Sequence, residues 1–595
     1  MPCHALGLAA SGWACCSDTT TPAAPVPPPP GPLALTIDWT AETRRSVTAA
    51  TVEVDAMPTL ARQPATDPYV ASHYGGSFDK YYSALSDLNA SFVRFAPWCP
   101  NPRLVVPELT PPSCTATQPA SNWNSTFFDQ LMKDFMTAVC GPGAARGQCS
   151  KHHSVIQQLS TMPSWMYVGG MELGEVPTNP YVPTRGGHKE YEQGGALVDT
   201  SCETMARHIG RIVGWYTLGG FQDECGHWHH SGLKYKWYGL SILNEDEHGI
   251  KPEGGVAYTT CYDAVRRQLL KINSSIIPVG PEISGGCSFP SGQFDYLAHY
   301  LNKSNHVDEY EPLIGSFHVG INGDGMTDQN AESFFPSWDH ALAGFVPALD
   351  KLLTELRSPA KLILNEFVNF VGDWCESPGP PGSRASCPDW QSNATAGGDP
   401  DLTHGKGVKI NRRTWAWNAA AGVFAYAFGT LAEHGYLLVG QDQLVAGTWP
   451  DNEPAVAMLD WVTGDRNAKY YVTQLLASTV GAAVEKSLYP YAVSPNNVTG
   501  GAAALLYALP FKYTAVGGAR GVLLVNKKAE ALNITIAGFG GATATVVEVN
   551  THSRGHQPPP DGGAGFQPPL QRPLSSSGEL ELGPFAVAVV QQKAE

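Results

Sequence analysis

"YKWYGLSILNEDEHG" (residues 235–249) passes from aromatics into an apolar run, Gly239-Leu240-Ser241-Ile242-Leu243, and then into Asn244-Glu245-Asp246-Glu247-His248. Only 15% of the chain is charged, so three carboxylates, an amide and an imidazole directly behind a buried-type strand call for a reason. A second segment has the same form: "KLILNEF" (361–367) closes an apolar strand with Asn365-Glu366. In a closed parallel barrel the loops at the C-terminal ends of the strands build the functional face, so polarity belongs where each strand stops.

Working outward, strand-length apolar runs alternate with helix-length segments. The runs are 91–98, 156–166, 235–245, 275–283, 313–319, 361–367 and 435–443, each ending in polar or aromatic residues. This alternation predicts parallel βαβ units, and no GxGxxG or phosphate loop follows the first strands to favour an open doubly wound sheet. After about residue 480 only short strands remain, separated by Gly- and Pro-rich turns, the pattern of an antiparallel β-sandwich. The expected fold is therefore an α/β (β/α)8 TIM barrel with a C-terminal β-sandwich. The expected boundaries are a leader and Pro-rich linker at 1–32, N-terminal strands at 33–55 joining the sandwich, the barrel at 56–480 and the sandwich at 481–595. The run Ala419 to Ala432 is too short to span a bilayer and reads as a buried helix.

A net charge of -16 excludes a polyanionic partner such as nucleic acid, which needs basic surface to displace counterions. Seven N-x-[ST] sequons, at Asn89, Asn124, Asn273, Asn302, Asn393, Asn497 and Asn533, point to N-glycans and a secreted or lysosome-like destination. Of thirteen cysteines, three lie in the first sixteen residues, and the other ten form an even set without a CxxC pair. Close spacing of Cys99 with Cys114, Cys140 with Cys149 and Cys375 with Cys387 suits local disulfides better than zinc. The start, "MPCHALGLAASGWACCS", has a small apolar stretch but no Lys or Arg before it, a weak match to a signal peptide.

Glycoside hydrolysis needs one carboxyl group to protonate the leaving oxygen and another to attack the anomeric carbon or activate water. Glu245 and Glu366, each delivered by an apolar strand and each preceded by Asn, are the candidate pair. An Arg lies inside a third strand, "FVRFAPW". On these residues the chain resembles the retaining glycoside hydrolases of clan A, nearest the group of β-xylosidases and α-L-iduronidases, over most of 33–595. The resemblance implies that Glu245, after strand four, is the acid/base and that Glu366, on strand seven, is the nucleophile. It implies that Arg94 keeps Glu366 ionised and that Asn244 contacts the sugar 2-hydroxyl. "STMPSWM" and "SFHV" resemble the ends of strands three and six. The pattern departs from the clan in two places: His318-Val319-Gly320 stands where a Tyr usually supports the nucleophile, and Asp246 follows the acid/base in place of Pro.

The roles demand opposite electrostatics, because a nearby Arg lowers the pKa of Glu366 while Glu245 must stay protonated until it donates. The expected substrate is a β-linked glycan or glycoconjugate, with no cofactor and no metal. Substrate contacts are expected from Arg94, Asn244 and His318 and from Trp98, Trp165 and Trp449, whose indoles either stack on sugar or pack the core. His227, His229 and His230 crowd together in "ECGHWHHSG" but lack the HExxH register, and read as rim residues. Asp223, Glu224 and Glu247 are spare carboxylates that would replace Glu245 in another register. Two competing readings are a catalytically silent carbohydrate-binding barrel and a transglycosylase with the same glutamates.

Overall fold

The computed structural model describes residues 32–62, 67, 77–97, 101–115, 122–150, 154–184, 195–246, 255–284, 291–322, 331–370, 372–376, 406–410, 414–445, 456–459, 464–480, 483–484, 487–488, 490–498, 503–513, 519–547 and 568–592. Eight parallel strands close into a barrel: β1 (Ala49–Asp55), β2 (Phe92–Ala96), β3 (Ser154–Leu159), β4 (Gly239–Ile242), β5 (Ile277–Ile283), β6 (Ile314–Asn322), β7 (Lys361–Phe370) and β8 (Leu438–Gln441). A helix follows each: α1 (Phe78–Leu88), α2 (Thr126–Cys140), α3 (Glu203–Thr217), α4 (Val256–Ile272), α5 (Ser291–Leu301), α6 (Phe334–Leu356), α7 (Thr414–His434) and α8 (Ala468–Thr479). Glu245 thus follows strand four and Glu366 lies on strand seven.

Successive side chains on a strand alternate between the barrel interior and the helix layer. At the N-terminal end the interior is plugged by Ala49, Phe92, Ile156, Val279, Ile314, Ile363 and Leu438. Two or four residues further along the same strands, that alternation brings Thr51, Glu53, Arg94, Ser316, His318 and Asn365 to the interior. All of these are buried. The floor is apolar and the functional end is polar because the alternation continues while the residue type changes.

The other strands form two sheets. One holds Asn496–Val498, Leu33–Ile37, Leu532–Ile536 and Glu579–Leu582; the other holds Arg44–Ser46, Tyr491–Val493, Leu506–Tyr513, Arg520–Asn526, Val587–Gln592, Thr543–Val547 and Leu570–Pro573. Leu35, Ile534 and Leu582 from the first share an apolar core with Leu524, Val546 and Val590 from the second. The opposite face of the larger sheet, with Leu523, Val525 and Val589, belongs to the same core as the barrel and α7. Helix α7 is therefore buried on nearly every side from Trp417 to Ala432, as its uniform apolarity predicts.

Two expectations need correction. Leu33–Ile37 and Arg44–Ser46 pair within the C-terminal sheets, but Ala49–Asp55 pairs with β2 and β8, so the boundary falls before Ala49 and not after Asp55. Cys114 bonds to Cys225, 111 residues away, and not to Cys99. Cys140–Cys149 is the expected local bridge, while Cys202–Cys261 joins the start of α3 to α4. Cys99 and Cys387 lie outside the described residues, as does the side chain of Cys375.

Candidate functional site

Glu366 reaches the barrel interior through a break in the ladder. Phe317 pairs with Leu364 but the next residue, His318, pairs with Glu366, so β7 carries one extra residue, and its register with β8 shifts between Leu364 and Phe367. A bulge re-aims side chains beside it. Here it lets two consecutive residues, Asn365 and Glu366, both turn toward the same cluster. Gly440 faces the bulge from β8, where a Cβ would collide with the backbone of Asn365.

Of the partner carboxylates, Glu245 comes from the turn after β4 and Glu282 from the C-terminal end of β5. Leu243, Glu245 and Glu282 adopt left-handed backbone conformations with φ of 61°, 48° and 55°. Such non-glycine conformations cost about 1–3 kcal/mol each and persist where surrounding contacts hold them. One such contact joins the two ends directly: the Glu245 N–H donates to the Glu282 carbonyl at 2.9 Å.

Arg94, 1% exposed, sits at the centre of the charges. Its Nη1 donates to both Glu53 Oε1 and Glu366 Oε1. Its Nη2 donates to Asn244 Oδ1 at 2.6 Å and lies 3.7 Å from Glu282 Oε2. His318, fully buried, places Nδ1 3.0 Å from Glu245 Oε1 and 3.0 Å from Glu366 Oε2, with Nε2 3.3 Å from Glu282 Oε2. The three facing atoms of Glu245, His318 and Glu366 all lie within 4.8 Å of one another. Burial pushes the Glu366 carboxyl up, but the charges of His318 and Arg94 outweigh it and hold it below the usual carboxylate range. Burial pushes the His318 imidazole down, but Glu366, helped by hydrogen bonds to Glu245 and Glu282, lifts it to about 10.

Arg94, Asn244, Glu245, His318 and Glu366, all singled out in the sequence, are brought together in one cluster. Trp165 does not join them by any hydrogen bond: its indole N–H donates to the Glu108 carbonyl at 3.0 Å and its half-buried ring packs on the barrel core. Trp98 and Trp449 lie outside the described residues, as does Glu247. Asp223 and Glu224 are engaged elsewhere, Asp223 with His229 at 2.8 Å and Glu224 with Arg211. The three donors Asp223, Cys225 and His227 lie close enough to suggest a metal pocket, but the Cys225 sulfur is committed to Cys114. Around Glu366, Arg94 and His318 already supply the positive charge that a cation would bring.

Several members were not singled out from the sequence. Glu282 accepts from Ser241 Oγ, Asn365 Nδ2 and the His318 ring. Burial, with the charge on Glu366, lifts Asp55 to about 7; burial also pushes Glu53 and Asp442 well above their ordinary values. The signal was available: "TVEVDA", "VGPEI" and "VGQDQ" each put a carboxylate at a strand end, as the two Asn-Glu segments do.

The fold and site together define a (β/α)8 barrel whose C-terminal mouth holds a charged cluster, joined to a two-sheet β domain. No family model matches the chain, and no curated protein matches it by sequence. Solved structures do resemble it. An arabinofuranosidase of family 51 from Xanthomonas axonopodis pv. citri matches with a TM-score of 0.54 at 10% identity, over 94% of this chain and 100% of that one. A family 51 α-L-arabinofuranosidase from Bifidobacterium longum matches with a TM-score of 0.53 at 11% identity, over 95% and 100%. The α-L-arabinofuranosidase from Thermotoga maritima gives 0.52 at 10% identity, over 94% and 99%. At these identities the likeness is one of fold, and it spans the barrel and the β domain together.

Proposed function

We propose that this chain is a retaining glycoside hydrolase in which Glu366 is the nucleophile and Glu245 the general acid and base. The observation that carries the reading is the contact of both carboxylates with one imidazole nitrogen, 3.0 Å from each, at the mouth of the barrel. Direct attack requires carboxyl groups about 5–5.5 Å apart, whereas water-mediated inversion requires about 6.5–9.5 Å. Oxygens of Glu245 and Glu366 within 4.8 Å of each other support direct attack.

In the first step a Glu366 oxygen bonds to the anomeric carbon, the glycosidic C–O bond breaks, and Glu245 gives its proton to the departing oxygen. Esterification removes the charge on Glu366, and Glu245, now an anion, becomes the base. In the second step water attacks the same carbon, its proton passes to Glu245, and Glu366 leaves as a carboxylate. Arg94 is pre-oriented on Glu366, and Asn244, whose Oδ1 is held by Arg94, keeps its amide N–H groups for a sugar hydroxyl. Both glutamates with their supporting charges argue against a silent binding protein; a transglycosylase differs in how water is excluded.

The expected substrate class is β-linked glycosides, and the arabinofuranosidases of similar fold add α-L-arabinofuranosides as candidates. The decisive experiment is a panel of aryl β-xyloside, β-glucoside, β-galactoside, β-fucoside, α-L-iduronide and α-L-arabinofuranoside, with the first-formed anomer read by proton NMR. Hydrolysis with retention is expected. Inversion, or sugar binding with no turnover across the panel, overturns the reading. Three disulfides and exposed sequons at Asn89, Asn124, Asn497 and Asn533 support passage through a glycosylating secretory compartment. A mass loss on enzymatic deglycosylation of protein made by its own secretory route checks this.

A further inference from the structure

Glu282 is a carboxylate that no substrate reaches. It is fully buried, and its two oxygens are taken up by Ser241, Asn365 and His318, with Arg94 3.7 Å away. Its backbone also takes part: the N–H donates to Ser316 Oγ at 3.0 Å, and the carbonyl accepts the Glu245 N–H. A carboxylate accepts only, so the His318 Nε2 facing it at 3.3 Å must carry a hydrogen. That leaves Nδ1, which faces two carboxylates at equal distance.

We propose that Glu282 is a positioning residue that locks His318 with a proton on both ring nitrogens, so that one Nδ1–H serves Glu366 and Glu245 in turn as the negative charge moves between them. The inference rests on the reading of Glu245 and Glu366 as the catalytic pair. In the free enzyme the anions are Glu366 and Glu282, matched by Arg94 and His318, with Glu245 carrying its proton. In the glycosyl-enzyme Glu366 is an ester and Glu245 is the anion, so the same two cations still face two anions. Nδ1–H need only shift its donation from one oxygen to the other, and no proton leaves the ring. A tyrosine could not do this, having one neutral O–H and no charge to offset the travelling anion. The titratable groups facing the ring are Glu245 from the turn after β4, Glu282 on β5, Glu366 on β7 and Asp442 following β8, the last pushed toward its neutral form by burial. In the free enzyme the charges on Glu366 and Glu282 favour the doubly protonated ring.

The test begins with wild-type protein labelled with 15N-histidine, the His318 signals being assigned by their loss in His318→Gln. Long-range proton–nitrogen correlation at pH 7 is expected to show both His318 nitrogens protonated, in the free enzyme and after trapping with a 2-deoxy-2-fluoro glycoside that esterifies Glu366. A neutral ring in either state overturns the proposal, and the protonation state itself is read on the wild-type protein, the variant serving only to assign the signals. Failure of the fluoro sugar to label Glu366 would instead break the catalytic assignment, while the state of the ring in the free enzyme would still be read. Glu282→Gln keeps an acceptor for Asn365 and His318 but removes the charge. It is expected to lower kcat and kcat/KM for a dinitrophenyl glycoside by about tenfold or more each, because both half-reactions lose the imidazolium. The alkaline limb of its profile should move to lower pH, since losing an anion lowers the pKa of the neighbouring cation. An unchanged pH profile, or a change in KM alone, overturns the role given to Glu282.

Discussion

Replacing Arg94 with Met tests the electrostatics of the cluster through stability, independently of any substrate. Arg94 is 1% exposed and bonds to Glu53, Glu366 and Asn244, so its loss leaves a buried carboxylate facing other acids. Removing one partner of a buried pair costs about 3–5 kcal/mol, mostly because the remaining charge is uncompensated. The cost should depend on pH with a definite sign. In the wild type the folded pKa of Glu366 is depressed, so its contribution is complete above the unfolded carboxyl value and is lost as pH falls through the folded one. In the variant the attraction of Arg94 is gone, burial prevails, and Glu366 takes up a proton at higher pH. The unfolded state is common to the two proteins, so the difference between them is largest near pH 7, shrinks as pH falls through the raised carboxyl pKa of the variant, and vanishes below the depressed one of the wild type. Urea unfolding at pH 7 and pH 4, followed by tryptophan fluorescence, measures it. A difference below about 1 kcal/mol at pH 7, or one that does not shrink at pH 4, would refute the placement of Arg94 as counter-ion to an ionised Glu366.

The remaining predictions concern role, geometry and covalent links. Glu245→Ala should slow glycosides with poor leaving groups by about 10²–10⁴ while sparing dinitrophenyl glycosides, and azide should rescue it to give a glycosyl azide of retained configuration; the inverted azide would reopen Glu247 as the acid. Gly440→Ala should displace the bulge at Asn365 and cost about 1–3 kcal/mol with a matching loss of kcat, and unchanged stability and turnover would count against the bulge as the device that aims Glu366. Opening Cys114–Cys225 and Cys202–Cys261, which span 111 and 59 residues, should lower unfolding free energy by about 5 and about 4 kcal/mol respectively in the loop-entropy account. Free thiols on those four cysteines in unreduced protein would refute the pairing.

What the sequence disclosed and what it hid follow one rule. Strands that meet only protein on both sides, such as "GLSIL" and "KLIL", read plainly as buried, so the residues after them stood out. "TVEVDA" misled because its alternation of Val52 and Val54 with Thr51, Glu53 and Asp55 looks like a strand with one wet face. Here the polar face is turned into the barrel's functional end instead. Glu282 stayed hidden for a related reason: a lone Glu after Pro281 has no Asn beside it, and its partners come from three other strands. The Cys114–Cys225 bridge was beyond reach because pairing is set by tertiary proximity, and nearness in sequence favoured Cys99. The bulge at Asn365 could not be seen because a one-residue slip in pairing leaves the hydrophobic pattern of "KLILNEF" unaltered.

The placement of Leu33–Ile37 and Arg44–Ser46 has a consequence for how the protein is made. These two strands leave the ribosome before the first strand of the barrel, yet their partners lie between Tyr491 and Ile536. At about 5–20 residues per second they wait on the order of half a minute to two minutes for those partners to be synthesised. Throughout that time their backbone edges stay open, and once α7 has been made, its side destined for the larger sheet is bare hydrocarbon until that sheet forms. The nascent chain therefore calls for holdase-type protection until the strands from Tyr491 to Gln592 have emerged, and a cell lacking it should yield aggregated product.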